Sequence, residues 1–205
     1  MTEKKPHVLG LNNEYLSMEF PSTVEDYQLW EAYRDRKIIF NDDVDSRIVN
    51  TIVHWIIKWN EEDDKAGLVG NDRKEIRIYI TSNGGDVVAG FSAIDVVRTS
   101  KTPVHTIAVG CAASMGILLL MAGHNKSAYE NTVLLIHDGS LAVNGSSRKA
   151  KSTMSFYDKL DERVKNYILS RTNIPEEKYD EKADDEWFMF ADEALALGII
   201  DNIIS

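Results

Sequence analysis

Short apolar segments alternate with longer amphipathic segments along most of this chain, and this alternation constrains its fold more than any other feature. The apolar segments predict five strands, which are residues 36–40, 76–80, 104–109, 133–136 and 199–203. Apolar residues at helical spacing predict five helices, at residues 46–59, 86–99, 114–122, 144–171 and 191–197. Strands joined through helices form βαβ units, so we predict an α/β fold with a mostly parallel sheet.

The first 24 residues lack the periodicity of the rest of the chain. Polar residues, Pro6 and Pro21 are scattered through them, so we expect residues 1–24 to form an extended or mobile arm, with regular structure starting near Val24. A chain of 205 residues can bury one sizeable core but not two comfortable ones. We therefore expect residues 25–205 to form a single domain.

Composition argues against several classes of function. The net charge of −10 argues against a nucleic-acid or anionic-membrane surface, because either needs a cluster of basic residues. The longest apolar run, residues 115–122, is too short to span a bilayer. The single cysteine, Cys111, excludes an intrachain disulfide framework and a cysteine-based metal site, and no secretory signal is apparent. We expect a cytoplasmic protein without a bound cofactor.

Two glycine-bearing turns each join a predicted strand to a predicted helix. Residues 81–86 include Gly84 and Gly85, which allow positive φ and expose backbone N–H groups, as an anion or oxyanion site requires. In residues 110–116, small side chains surround Ser114 at a helix N-terminus, where a nucleophile would be open to close approach by a substrate. Each turn alone also fits a structural role, as a tight connection or as a helix cap.

His137 is the histidine best placed to act as a base for Ser114. It follows the predicted strand 133–136 and so lies at the carboxyl edge of the sheet, where α/β folds have their active sites. Ser114 begins the helix after the preceding predicted strand, so both residues can open onto one crevice. A serine hydroxyl needs such a base to attack at neutral pH. The alternative is a histidine that only hydrogen-bonds to a loop.

The acid that would orient the imidazole stays open on these grounds. Asp184, Asp185 and Glu186 directly precede the aromatic-rich residues 187–190. An acid partly desolvated by those aromatic side chains could hold the imidazole in one tautomer. The same acidic run could equally be a solvated patch.

Together these motifs resemble those of the proteolytic subunit of the Clp protease, the ClpP family. Five segments match the family in order and spacing, namely residues 36–40, the glycine turn 82–85, the serine motif 110–116, the histidine motif 135–137 and the closing segment 191–201. The resemblance covers the chain from about Tyr33 to Asp201, with Asn83 at a position where the family usually has proline.

The resemblance implies a ClpP/crotonase-like fold in which residues 144–171 form a long handle helix that joins two rings. It implies a serine endopeptidase with Ser114 and His137 as catalytic residues, acylated at Ser114. The partners it implies are further copies of the chain in stacked heptameric rings, an AAA+ unfoldase that uses ATP, and unfolded polypeptides. The exposed stripe of the helix also needs a partner, which fits an oligomer better than a monomer.

The resemblance also assigns the rest of the active site. The oxyanion would be held by the backbone N–H groups of Gly84 and Met115. The peptide would lie as an added strand between two segments. They are Gly85, Asp86, Val87 and Val88 on one side and Gly139, Ser140 and Leu141 on the other.

The acid is one of three departures from the family pattern. Counting back from the closing segment puts Glu186 where the family has its catalytic Asp, whereas counting forward from Arg171 indicates Asp185. We prefer Glu186, because the distance to the closing helix should be the more rigid measure. The other departures are a long polar segment at residues 60–74, interpreted as a loop, and an N-terminal arm unlike the family's axial-pore segment.

Three other functions fit parts of the pattern. A crotonase-type acyl-CoA enzyme shares the fold and the paired oxyanion donors but uses no serine nucleophile, so coenzyme A binding would distinguish it. A catalytically inactive ring subunit would not need Ser114 and His137. A Ser–Lys signal-peptide-type peptidase would need a membrane segment, which the sequence does not show.

Overall fold

The computed structural model describes residues 23–139, 145–182 and 185–205. The chain divides into two compact units, Met1–Asp35 and Arg36–Ser205. The described part of the first unit is helix α1, Val24–Arg34, which begins where regular structure is predicted to begin. Thr23 caps it by accepting a hydrogen bond from the Asp26 N–H at 3.0 Å. Most of the predicted arm, residues 1–22, lies outside the described residues.

The second unit alternates strands and helices. In chain order they are β1 (Lys37–Asn41), a π-helical turn (Val49–Val53), α2 (His54–Lys65), a 3₁₀ turn (Gly70–Asp72), β2 (Ile76–Ser82), α3 (Val87–Thr99), β3 (Val104–Ala113), α4 (Met115–Met121), β4 (Asn125–Tyr129), β5 (Val133–Ile136), α5 (Ser147–Arg171), α6 (Glu176–Lys182), β6 (Trp187–Met189), α7 (Ala191–Ala196) and β7 (Asn202–Ile204). None of the helices in the described part of the chain is both long and apolar enough to cross a membrane.

The described strands form one sheet in the order β1-β2-β3-β4-β7, with β5 attached to β3 and β6 attached to β5. The pairing within this sheet is parallel, apart from the antiparallel pair β5–β6. Strand β3 pairs with β2 and is also long enough to pair with two further strands. Its first half pairs with β4, and its last three residues pair with β5. The predicted α/β fold, its mostly parallel sheet and its long helix α5 are confirmed.

Helix α4 lies in the middle of the core. Each of its residues from Met115 to Met121 is buried, as expected for a helix that is apolar on every side. Strand β2 contributes Ile76, Ile78 and Ile80, which are completely buried. Because α4 follows β3 directly, packing of this helix fixes the position of the turn that carries Ser114.

The predicted loop at residues 60–74 is wrong in its first part, where α2 continues to Lys65. The reason is an ion pair inside the structure. The buried carboxylate of Asp63 accepts hydrogen bonds from the Arg36 guanidinium at 2.6 and 2.8 Å and from the Thr102 hydroxyl at 2.7 Å. Polar residues that pair in the interior look like a solvated loop in a hydropathy pattern.

Strand β4 is absent from the prediction for a similar reason. Its residues include Lys126, which is buried, with Nζ lying 3.4 Å from an Asp201 carboxylate oxygen and 3.2 Å from the Gly198 carbonyl oxygen. A lysine satisfied in this way can occupy an interior position. Helix α6 and strand β6 are also unpredicted. The last strand lies at Asn202–Ile204 instead of residues 199–203, and the apolar Ile199 and Ile200 are buried ahead of it.

Candidate active site

Ser114 occupies the sharp turn between β3 and α4. Its φ of +52° and ψ of −122° lie in a region that residues other than glycine rarely adopt. The Ser114 N–H donates to the Leu135 carbonyl oxygen at 3.0 Å, which ties the turn to β5. The Ser114 side chain makes no capping hydrogen bond to α4, so the helix-cap interpretation of this serine has no hydrogen bond to support it.

The two glycine-bearing turns meet at Ser114. Gly84 has a φ of +100°, and a Cβ atom built on it would lie 2.6 Å from the Ser114 Cβ and 2.9 Å from the Met115 nitrogen. Contacts this short would force a shift, so only glycine fits here. The backbone of the first turn therefore lies directly against the start of α4.

The backbone donors expected at an oxyanion site differ in their hydrogen bonding. The Met115 N–H stands at the first position of α4, where no acceptor exists within the helix. The Gly84 N–H donates to the Ser82 hydroxyl oxygen at 3.1 Å. A ligand oxyanion at this place would share the Gly84 N–H with Ser82, whereas the Met115 N–H has no competitor inside its helix.

The structure brings His137 and Glu186 together. The His137 Nδ1 and a Glu186 carboxylate oxygen lie 3.0 Å apart. The antiparallel pairing of β5 with β6 explains this contact, because Ile136 is the partner of Trp187 in the ladder. The residue after Ile136 is His137 and the residue before Trp187 is Glu186, so the same antiparallel register puts these two side chains opposite each other, where cross-strand side chains touch.

Asp185, the alternative acid, does not contact the imidazole among the described contacts. Its carboxylate lies 3.5 Å from the Lys182 ammonium, one turn back along the chain. Asp184 lies outside the described residues.

A cleft of about 260 Å³ opens beside these residues, and both Ser114 and His137 line it. Of the predicted peptide-binding residues, Val87 and Gly139 also line the cleft. Three others do not: Gly85 forms an isolated bridge with Val44, Asp86 caps α3 through the Ala89 N–H at 2.6 Å, and Val88 is exposed. Ser140 and Leu141 lie outside the described residues.

The far wall of the cleft is formed by α5 and α6, and the site residues predicted from sequence do not include it. It contains Asp161, Glu162 and Lys165 from α5 and Tyr179 from α6. Burial raises the pKa of the Tyr179 phenol, and the charge of Asp138 raises it further. The amphipathic pattern of α5 was the sequence signal that could have indicated these residues. Periodicity alone does not tell which part of a helix faces a site. Among the described residues, no group of three or more His, Cys, Asp and Glu side chains is arranged to hold a metal ion.

Comparison with known proteins shows which chains are similar. The sequence model of the family described as Clp protease matches residues 23–205. The chain is 34% identical over 173 residues to the ATP-dependent Clp protease proteolytic subunit of Deinococcus radiodurans, which covers 83% of this chain and 81% of that protein. It is 32% identical to proteolytic subunit 2 of Bacillus licheniformis and 31% identical to proteolytic subunit 1 of Bacillus cereus. Both alignments cover 83% of this chain, with 87% of the first relative and 86% of the second.

Proposed function

The chain belongs to the Clp protease family, and from this premise we propose that it is the serine endopeptidase subunit of an ATP-dependent, ring-shaped protease that degrades unfolded polypeptides. The observation that carries the proposal is the arrangement at the cleft. Ser114 sits on a strained turn, and His137, bonded to Glu186, lines the same cleft. Strain at a non-glycine residue that also lines a cleft is typical of functional sites.

The hydrogen bond between His137 and Glu186 supports the role of a general base. An ionised carboxylate can only accept a hydrogen bond, so the proton of a neutral imidazole lies on Nδ1, which donates to Glu186 at 3.0 Å. The other nitrogen, Nε2, then keeps a lone pair and can take the proton from the Ser114 hydroxyl. Glu186 holds this tautomer and stabilises the imidazolium that forms.

In the first half of the reaction, the Ser114 Oγ attacks the carbonyl carbon of the peptide as its proton passes to His137. The carbonyl oxygen becomes an oxyanion, for which we propose the Met115 and Gly84 N–H groups as donors. Collapse of this intermediate breaks the C–N bond, and His137 returns the proton to the leaving amine. The product is an ester between Ser114 and the acyl part of the substrate.

In the second half, water replaces the amine. His137 takes a proton from the water, whose oxygen attacks the ester carbonyl. The intermediate breaks the bond to the Ser114 Oγ and the proton returns to that oxygen. The enzyme is restored and a carboxylic acid is released.

For substrate binding we propose an extended peptide strand between residues 85–88 and residues 139–141. Val87 and Gly139, one from each segment, line the cleft, which supports this placement. Backbone pairing of this kind is independent of sequence, which suits a protease for unfolded chains.

For assembly we propose stacked heptameric rings of this chain. An AAA+ unfoldase would deliver the substrates and hydrolyse ATP, since the relatives are named as subunits of an ATP-dependent protease. Enclosure of the cleft in such a chamber would keep folded proteins away from Ser114. We place the protein in the cytoplasm, since one cysteine in 205 residues gives no sign of an oxidising compartment.

The test is fluorophosphonate labelling of the purified, size-fractionated protein, read by intact and peptide mass, with Ser114→Ala as the control. We expect one adduct per chain on Ser114 in a ring-sized fraction and none in the variant, which loses one hydroxyl and should assemble normally. An unlabelled wild-type ring, also unlabelled after addition of a Clp ATPase, would instead indicate a catalytically inactive ring subunit.

A further inference from the structure

The cleft beside Ser114 has an apolar floor. Leu118, Ile136 and Ile168 line it and are almost completely buried, whereas Val87 and Val164 line it and are half-buried, so they leave apolar surface open in the cleft. A hydrocarbon chain laid on this floor would cover apolar surface, which is favourable. The floor alone would accept any apolar side chain of a substrate.

The rim of the cleft is acidic. Asp161 and Glu162 from α5 and Asp138, which follows β5 and His137, line the cleft and carry carboxylates. Lys165 is the single basic residue in the described lining apart from His137. Three carboxylates therefore share the rim with one ammonium group.

The ammonium group of Lys165 is already engaged. Its Nζ lies 2.6 Å from an Asp180 carboxylate oxygen and 2.9 Å from a Glu176 carboxylate oxygen. Both partners lie on α6, so the positive charge is more than balanced before the rim carboxylates are considered. The described lining of the cleft consequently carries an excess of negative charge.

The Tyr179 phenol is mostly buried in the same wall, beside these charges. Burial raises its pKa, Asp138, Asp161 and Asp180 raise it further, and Lys165 acts in the opposite direction. The net shift is upward, with burial as its largest cause.

From this arrangement we propose that the cleft binds the side chain of the residue that supplies the scissile carbonyl, and that it selects lysine and arginine there. This inference rests on the proposed peptidase function. A long basic side chain can lay its methylene stem on the apolar floor and bring its cation to the acidic rim. An acidic side chain would meet like charges, and a leucine would use the floor but not the rim.

The test uses the assembled, full-length protein and fluorogenic peptides that differ only in this residue, as Lys, Leu or Glu. We expect kcat/KM to be highest for Lys and lowest for Glu. Removal of one rim charge, by Asp161→Asn or Glu162→Gln, should reduce the Lys-to-Leu ratio about threefold to fivefold, the range for a partly exposed charge pair. The matched control is Asp158→Asn, which removes an equal charge from α5 outside the cleft lining and should leave the ratio unchanged.

A second readout separates this inference from the function on which it rests. Peptide phosphonates with a Lys or a Leu side chain measure selectivity as the rate of adduct formation on Ser114, even if turnover is slow. Adducts that form as fast or faster with Leu, unaffected by the rim variants, would overturn the basic preference alone. A protein that neither labels nor cleaves any of these compounds would overturn the peptidase proposal, and this inference with it.

Discussion

Ser114 is held in a conformation that its own side chain does not favour. A positive φ at a residue other than glycine costs about 1–3 kcal/mol, so the surroundings must supply the difference. They do so through the hydrogen bond from the Ser114 N–H to the Leu135 carbonyl oxygen and through the packing of the buried helix α4. Sequence shows the glycines near this turn but not the strain at Ser114, because serine carries no preference for that conformation.

The residue-scale prediction concerns the acid beside His137. Glu186→Gln should reduce kcat/KM for a peptide substrate by roughly 10²- to 10⁴-fold, because an amide can hold the wrong imidazole tautomer. Asp185→Asn is the neighbouring control and should leave the rate nearly unchanged, since Asp185 pairs with Lys182. Steady-state kinetics on the two variants decide between them. A large loss of kcat/KM in Asp185→Asn, without a loss in Glu186→Gln, would show that Asp185 and not Glu186 orients His137.

At the scale of elements, most strands of the sheet could be predicted from the sequence, whereas the ion pairs in the interior could not. Periodicity predicts most strands of the parallel sheet, because their side chains are apolar. It does not predict how β6 pairs with β5, since a three-residue strand carries no period, and this pairing is what sets Glu186 opposite His137. It also misses the end of α2, where a buried Asp63 looks like a loop residue.

The element-scale prediction tests that ion pair, which links α2 to the residue before β1. Asp63→Ala should lower the free energy of unfolding by about 3 kcal/mol, because Arg36 would keep a mostly buried charge without its partner. Asp42→Ala removes an exposed carboxylate paired with Arg47 and should cost less than about 1 kcal/mol. Urea unfolding of both variants gives the comparison.

The same pair should make stability depend on pH. Burial acts to raise the pKa of Asp63, but hydrogen bonds from Arg36 and Thr102 outweigh it, and the pKa is lowered. A lowered folded-state pKa means that the carboxylate stabilises the fold above its ordinary pKa of about 3.9. This contribution is lost as the pH falls through the lowered value, so the difference between wild type and Asp63→Ala should narrow there. If the difference in free energy of unfolding between wild type and Asp63→Ala stays constant as the pH is lowered until the protein unfolds, the result would argue against the ion pair.

At the scale of the whole molecule, α5 exposes apolar side chains that a single chain leaves uncovered. Met154 and Phe156 are 46% and 55% exposed on the first half of this 25-residue helix. Its second half packs into the core through Leu160, Tyr167 and Ile168. A helix that is buried at one end and exposes large apolar side chains at the other is suited to association with another copy.

The molecule-scale prediction follows from the proposed handle. Phe156→Glu should shift the sedimentation profile from double rings towards smaller species, because a charge would replace an apolar contact. Asp158→Ala, nearby on the same helix, should leave the profile unchanged. Analytical ultracentrifugation at several concentrations is the measurement. A variant that assembles like the wild type would exclude Phe156 from the interface.

Strand β5 has only four residues, yet all three proposed triad residues are held through it. Its Leu135 carbonyl accepts the hydrogen bond from the Ser114 N–H, His137 follows its last residue, and its antiparallel partner β6 follows Glu186 directly. The three side chains thus share one support and would lose their alignment together if that support opened. Activity in such an enzyme depends on the local stability of a single short strand. Local unfolding of that strand would abolish catalysis while the rest of the sheet remains folded.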